Sequence, residues 1–351
     1  MKMIVGVICY ATDSGLGHLA RSFYRAGIVN RIMLVPHPHY ENHHEWYPEG
    51  VRYDRYAKSR FLDGLDCLLA FENAFHWDVA REAKGRGVRF ALMPMYEYSP
   101  MLPCPVAPDV VLCPSDLDYD YFHERYNCAR IEVPVEVPWQ LRERARVFVH
   151  NAGHGQRGWA KGTPQLLEAL EYVESPVKLL LRLQPGEART LEMVTGMGKR
   201  SRGFRKGRSG ESVYDVRSGN VEVEVRYGNL PEEELFAMGD VFINAEQYNG
   251  LSLPLREARA AGMLVVTTNR YPTNRWLPNE CLIEPFGTVK DRTGGNCVEF
   301  ERSVVDPVEI AKVIDRVYDT DIREYSESGR VWAERNSWEA LKPEYLRVLK
   351  G

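Results

Sequence analysis

The residues best suited to chemistry lie in one run, Asn249-Gly-Leu-Ser-Leu-Pro-Leu-Arg-Glu257-Ala-Arg-Ala-Ala-Gly262, followed by the apolar stretch Met263–Thr268. The run reads as a glycine turn, a helix with a carboxylate near its start, and a buried strand. Backbone N–H groups around Gly250, Leu251 and Ser252 would converge with the positive end of the helix and with Glu257. Such a point can hold a phosphate and a ribose together. Upstream, Asn151-Ala-Gly-His154-Gly155-Gln-Arg157-Gly-Trp-Ala-Lys161-Gly162 sets four glycines and two cations after a strand. That composition makes a cradle in which Arg157 and Lys161 neutralise a phosphate, although a solvated surface loop has the same composition.

A third candidate is the first βα loop, Gly15-Leu-Gly17-His18-Leu-Ala-Arg21. Gly17 lets the backbone approach a ligand, and His18 follows at the start of a helix. The spelling also fits a dinucleotide fingerprint. The second strand, however, runs out at His37 where that fingerprint expects an acid on the ribose. Glu72 and Glu97 each follow a strand end and could bind an acceptor or serve as a base; a plain rim charge is the alternative. Asp116-Leu-Asp118-Tyr-Asp120 contains two Asp-x-Asp spellings, but its place after Pro114-Ser115 suits helix capping better than a metal. The run 195–210 carries Lys199, Arg200, Arg202, Arg205, Lys206 and Arg208 without an acid. Read as a glycine-rich loop, it could grip a nucleic-acid backbone or another anionic polymer, or be no more than a solvated insertion.

Positioning these groups requires a scaffold of alternating strands and helices. Short apolar runs at Ile4–Cys9, Ile32–Val35, Cys67–Phe71, Arg89–Met93 and Val110–Cys113, with helical patterns such as Gly17–Ala26 and Trp77–Arg86 between them, give the rhythm of a doubly wound parallel sheet. The extended Val133-Pro-Val-Glu-Val-Pro-Trp139 punctuates the chain. A second cycle follows: Arg146–His150, helix Thr163–Tyr172, strands Val177–Leu183 and Val221–Arg226, helix Pro231–Met238, strand Val241–Asn244, helix Leu253–Ala261 and strand Leu264–Thr268. Helix Pro307–Tyr318 and one long helical region, Asp321–Leu349, close it. The expectation is two α/β domains facing a cleft, with boundaries at 1–140 and 141–325 and a last helix, 326–351, crossing back to the first.

Length and composition agree with a two-domain globular chain: 351 residues, 44% hydrophobic and 27% charged. A net charge of −4 argues against a surface built to coat nucleic acid. No stretch approaches the roughly 20 apolar residues of a membrane span. Seven scattered cysteines without Cys-x-x-Cys pairs lead to the expectation of a reduced, cytoplasmic chain with no cysteine metal site.

The 249–262 run resembles the donor-binding signature of retaining GT-B glycosyltransferases of family 4, a Glu-x7-Glu pattern within Glu-Gly-Phe-Gly-Leu-Pro-x-x-Glu-Ala. Gly250, Leu251, Leu253, Pro254, Glu257, Ala258, Ala260 and Gly262 match, and Asn249 stands in place of the first glutamate. Lys161-Gly162 before Leu166-Leu167-Glu168-Ala169 is similar to the family's diphosphate loop, and His154 is an alternative to Arg157 for its second cation. The resemblance implies two Rossmann-like domains, a nucleotide-sugar donor (UDP by family frequency), no metal, and retention of anomeric configuration. By the same resemblance Glu257 holds the ribose, Lys161 and Arg157 the diphosphate, and His18 and Asn249 face the transferred sugar. Asn249 keeps hydrogen bonding without charge, and Glu246, three residues earlier, could substitute for the missing acid. With the basic run, the resemblance extends to viral transferases acting on hydroxymethylated pyrimidines in DNA. Two other classes stay open: a silent nucleotide-sugar-binding protein, supported by Asn249, and a GT-B-shaped epimerase or hydrolase, suggested by the Gly-x-Gly-His-x-x-Arg loop.

Overall fold

The computed structural model describes residues 3–37, 41–54, 56–72, 77–152, 160–184, 190–192, 194, 203–228, 230–231 and 234–351. The chain divides into two compact units. Unit 1 comprises Met1–Pro134, Arg292–Phe300 and Asn336–Gly351; unit 2 comprises Val135–Asp291 and Glu301–Arg335.

Unit 1 is built on seven strands: β1 Val5–Cys9, β2 Arg31–Leu34, β3 Val51–Arg52, β4 Cys67–Phe71, β5 Arg89–Met93, β6 Val110–Cys113 and β7 Cys128–Arg130. They lie in the order β3-β2-β1-β4-β5-β6-β7, every pair parallel. A parallel sheet is covered on both faces, so its strands read as unbroken apolar runs. Cys67–Phe71 is accordingly buried at all five positions. Helices α1 Gly15–Arg25, α2 Ala57–Leu62, α3 Trp77–Gly85 and α4 Asp116–Phe122 supply the connections. Ser14 caps α1 and Ser115 caps α4, the latter in a reciprocal box with Asp118.

Unit 2 holds an eight-stranded sheet: β8 Val147–Asn151, β9 Lys178–Leu183, β10 Gly203–Lys206, β11 Ser212–Ser218, β12 Val221–Tyr227, β13 Val241–Asn244, β14 Leu264–Thr268 and β15 Leu282–Ile283. Their order is β10-β11-β12-β9-β8-β13-β14-β15. The stretch from β12 to β15 is parallel, whereas β10, β11 and β12 form an antiparallel edge. Helices α5 Thr163–Ala169 and α7 Pro307–Val317 cover one face, packing Leu166, Leu167, Ile310 and Ile314 onto Phe148, Leu181 and Ile243. Helix α6 Leu253–Ala260 covers the other, setting Leu255 and Ala258 against Val149, Leu180 and Phe242. A two-stranded sheet, β16 Pro285–Asp291 with β17 Phe300–Val305, and helices α8 Arg323–Arg335 and α9 Trp338–Lys350 complete the chain.

Four expectations are corrected. Part of the basic run is not a loop: Gly203–Lys206 is an edge strand, paired with Ser212–Ser218, which was not read as a strand. Its signal was present in Ser218-Gly219-Asn220-Val221, a two-residue glycine turn joining alternating runs. The helix expected at Pro231–Met238 appears, among its described residues, as a short turn. Helix Thr163–Tyr172 ends at Ala169. The single terminal helix is two, because Ser337 stops one and caps the next. Helix α9 belongs to unit 1, where Trp338 Nε1 donates to Ser22 Oγ (2.6 Å) and Tyr345 Oη to the Glu132 carbonyl (2.7 Å). No described helix is long and apolar enough to cross a membrane.

Candidate active site

Unit 2 gathers its polar residues at the carboxyl ends of β8, β9 and β13, the edge where open α/β sheets bind ligands. The loop after β8 rejoins the described chain at Ala160, whose carbonyl accepts from Gln247 N (2.9 Å) after β13. Gly162 then adopts φ 71°, and a Cβ there would lie 2.3 Å from the Ala245 carbonyl oxygen. Only glycine lets these two loops meet. The contact sets Lys161 Nζ 2.8 Å from Glu246 Oε1, which also accepts from Asn244 Nδ2 at 3.0 Å. Glu246 is 1% exposed at its side chain and Lys161 19%, so the ammonium is partly open to a ligand while its counter-ion is buried.

The turn before α6 is organised by Asn249. Its Oδ1 accepts from Ser252 N (2.8 Å) and Leu251 N (3.2 Å), and its carbonyl accepts from Arg270 Nη1 (2.6 Å). Ser252 is held left-handed, φ 49° and ψ 67°, at the helix N-cap. Its buried Oγ has no partner among the described residues. Asn249 is thus an Asx-turn residue as well as a candidate ligand contact. The amides of Leu251 and Ser252 are engaged by it, and Gly250 lies between them and Asn249. Glu257 is half-buried and is the fifth of the eight residues of α6; the first turn holds no acid, so the expected support of this carboxylate by the positive helix end is not met. Beneath these loops His150 is fully buried between the Ile243 carbonyl (Nδ1, 2.9 Å) and Thr163 Oγ1 (Nε2, 2.8 Å). Burial lowers its pKa to about 4, so it is a neutral strut that ties β8 to α5.

Arg157 and His154 lie outside the described residues, as do Lys199, Arg200 and Arg202. Arg205 is not a free cation of the basic run. It pairs with Asp215 and, at 3.2 Å, with Glu224, acids that strands β11 and β12 bring to it. Lys206 and Arg208 are exposed.

In unit 1, the Gly17 amide donates to Ser14 Oγ (3.1 Å), and a Cβ on Gly17 would lie 2.0 Å from the Thr12 carbonyl oxygen. Packing of the turn therefore requires this glycine. His18 lies 3.7 Å, Nε2 to Oδ1, from Asp13, whose other oxygen is 3.0 Å from His43 Nε2. His43 stacks on Trp46 at 4.8 Å, with the Arg21 guanidinium 4.4 Å from that ring. Trp46, in sequence a candidate to stack on a sugar or base or else a packing aromatic, packs here against His43; Asp13 and His43 carry no signal in sequence, because His43 follows β2, far from the first loop. Glu72 follows β4 with φ 54°. Glu97 is not a rim charge: it is 6% exposed, and its carbonyl accepts from Thr293 Oγ1. Burial, with Glu97 nearby, raises Asp118 to about 8.

Solved structures of similar architecture include glycosyltransferases. HepE from Anabaena, solved with UDP-glucose, superposes with a TM-score of 0.64 at 10% identity, over 99% of this chain and 99% of that one. Sucrose-phosphate synthase from Thermosynechococcus elongatus gives 0.61 at 14% identity, over 99% and 98%. WaaG, a glycosyltransferase involved in lipopolysaccharide biosynthesis, gives 0.54 at 13% identity, over 99% and 100%. The sequence matches no protein-family model and no curated protein. The chain has the GT-B fold, with two Rossmann-like domains.

Proposed function

We propose that this chain is a nucleotide-sugar-dependent glycosyltransferase of the retaining, family 4 type, acting without a metal and with UDP as the carrier. The observation that carries the reading is the partly exposed Lys161, fixed by Glu246 beside the left-handed turn that opens α6. A fixed cation beside a helix N-terminus suits the charge that develops on a departing diphosphate. The C–O bond from the anomeric carbon to the diphosphate breaks, its electron pair remaining on the phosphate oxygen. The acceptor hydroxyl attacks from the same face and gives its proton to that oxygen. Glu257 takes the ribose hydroxyls, Arg157 shares the diphosphate, and His18, steadied by Asp13, faces the transferred sugar. The UDP-glucose held by HepE supports UDP as the carrier.

The acceptor in this reading is a hydroxyl group, with 5-hydroxymethylpyrimidine in DNA as the specific candidate suggested by the basic run. Of its described cations, Lys206 and Arg208 are exposed to meet a polyanion.

Thermal melting against UDP, GDP, ADP, CMP and NAD, with Glu257→Ala in parallel, tests the donor. A ligand at about a hundred times its dissociation constant adds about 2.7 kcal/mol, a shift of a few degrees. A shift with one nucleoside diphosphate, lost in the variant, is expected. No shift with any of them overturns the reading. Binding without turnover would instead indicate a silent binding protein, and sugar release or epimerisation without acceptor a hydrolase or epimerase.

A further inference from the structure

Paired residues on neighbouring strands project to the same face of a sheet. Arg182 of β9 is in register with Asn151 of β8 and with Arg226 of β12, so these three side chains form a row at the carboxyl edge of the second sheet. Asn244 shares that face, being two residues beyond Phe242, whose register partner Val149 is two residues before Asn151. The row is polar and incompletely bonded, buried at Arg182 and Asn244 and half-buried at Asn151 and Arg226. Arg182 is 5% exposed, and its Nε, Nη1 and Nη2 have no hydrogen-bond partner among the described residues. The Oδ1 atoms of Asn151 and Asn244 have none either, so Arg182 and its register neighbour do not satisfy each other.

Of the acids that act on Arg182, Glu234 accepts from Ser209 Oγ at 2.9 Å and Glu224 is engaged by other cations. Glu224 takes Arg226 Nε at 2.8 Å, Arg205 at 3.2 Å and Lys178 at 3.4 Å, and Glu211 takes Arg226 Nη1 at 3.5 Å. Burial lowers Arg182 to about 10, which leaves it charged at neutral pH. A buried guanidinium with its donors unused is among the more unfavourable arrangements a fold can hold, and an anion in the row would relieve it.

We propose that this row is an oxyanion subsite in which the fork of Arg182 takes a phosphate group. The planar fork matches phosphate oxygens two at a time, and the carboxyl edge of a parallel sheet is where phosphorylated ligands lie. That the phosphate belongs to the diphosphate of a donor rests on the function proposed above; the subsite itself does not.

Inorganic pyrophosphate and UDP are titrated against the full chain and against Arg182→Met and Arg182→Lys, following melting temperature and dissociation constant. Pyrophosphate is expected to raise the melting temperature of the native chain and to bind Arg182→Met about 30-fold or more weakly. Arg182→Met, which removes the unpaired buried charge, is expected to melt no lower than the native chain without ligand. Should it not fold, the Lys variant is read instead, for the loss of two-point binding. A UDP response lost together with the pyrophosphate response places the donor's diphosphate in the row. A pyrophosphate response lost while native UDP binding is absent keeps the subsite and refutes the nucleotide-sugar reading. No pyrophosphate response in the native chain, an equal response in the variants, or protection by acetate but not pyrophosphate overturns the proposal.

Discussion

Lys161 Nζ and Glu246 Oε1 lie 2.8 Å apart, joining the loop after β8 to the loop after β13. In sequence Glu246 is a candidate stand-in for the glutamate absent at 249. It is placed against Lys161 and Asn244 rather than in the turn that Asn249 organises. The buried carboxylate therefore aims the lysine. Lys161→Ala is expected to lower kcat/KM for transfer by about 2–4 kcal/mol, or about 30- to 1000-fold. It also strands a buried carboxylate, so the melting temperature should fall. Adding Glu246→Gln to Lys161→Ala should recover most of the stability and none of the activity. Recovery of both would show that the pair is structural alone.

Asn249 performs with an amide oxygen what an ionised carboxylate can also do, accepting from the amides of Leu251 and Ser252. Asn249→Asp should keep the turn and leave the melting temperature within about 0.5 kcal/mol of the native value. Asn249→Ala removes an Asx turn next to a left-handed N-cap and should cost about 1–2 kcal/mol. Urea unfolding of the two variants separates the structural part. If Asn249→Asp is stable yet inactive, the neutral amide matters to the sugar itself.

Gly162→Ala introduces a Cβ 2.3 Å from the Ala245 carbonyl oxygen at a φ of 71°. Strain and overlap together should cost at least about 1–3 kcal/mol and separate Lys161 from Glu246. Equal urea midpoints for native chain and variant would refute the close loop contact.

His150 gives a pH dependence of definite sign. Its folded pKa, about 4, lies below the ordinary 6.5, so the unfolded chain binds the extra proton between those values. Stability should fall as pH drops from about 6.5 to about 4, by at most about 1.4 kcal/mol per pH unit. Asp118, raised from 3.8 to about 8, acts oppositely, favouring the fold at low pH and withdrawing that support as pH rises toward 8. The native-minus-variant difference for His150→Asn therefore isolates the histidine. A difference that does not change with pH would mean the imidazole is not neutral by burial.

The parts of the fold legible in sequence were those with an unambiguous local period. Cys67–Phe71 and Leu264–Thr268 are apolar runs of strand length, and both are buried throughout. The outer strands of the antiparallel edge are hard to read in sequence because Gly203–Lys206 is dense in charge and Ser212–Ser218 buries only Val213 and Val216. The break at Ser337 was hidden because both flanking segments favour helix. In the site, Lys161, Gly162 and the 249–257 run were legible because each is a compact stretch. Asp13 with His43, and Arg182 with Asn151, were not. Asp13 meets His43 through the loops after β1 and β2, and Arg182 meets Asn151 through strand register, so each pair joins residues distant in sequence.

The chain passes from one unit to the other after Pro134, Asp291, Phe300 and Arg335. No single uninterrupted stretch of the gene therefore encodes unit 1 whole, nor unit 2. A truncation at Pro134 deprives the first unit of the helix that bonds Ser22 and Glu132. Dissecting the protein would take a rearranged reading frame, with α9 spliced onto the amino-terminal portion, rather than a shortened one.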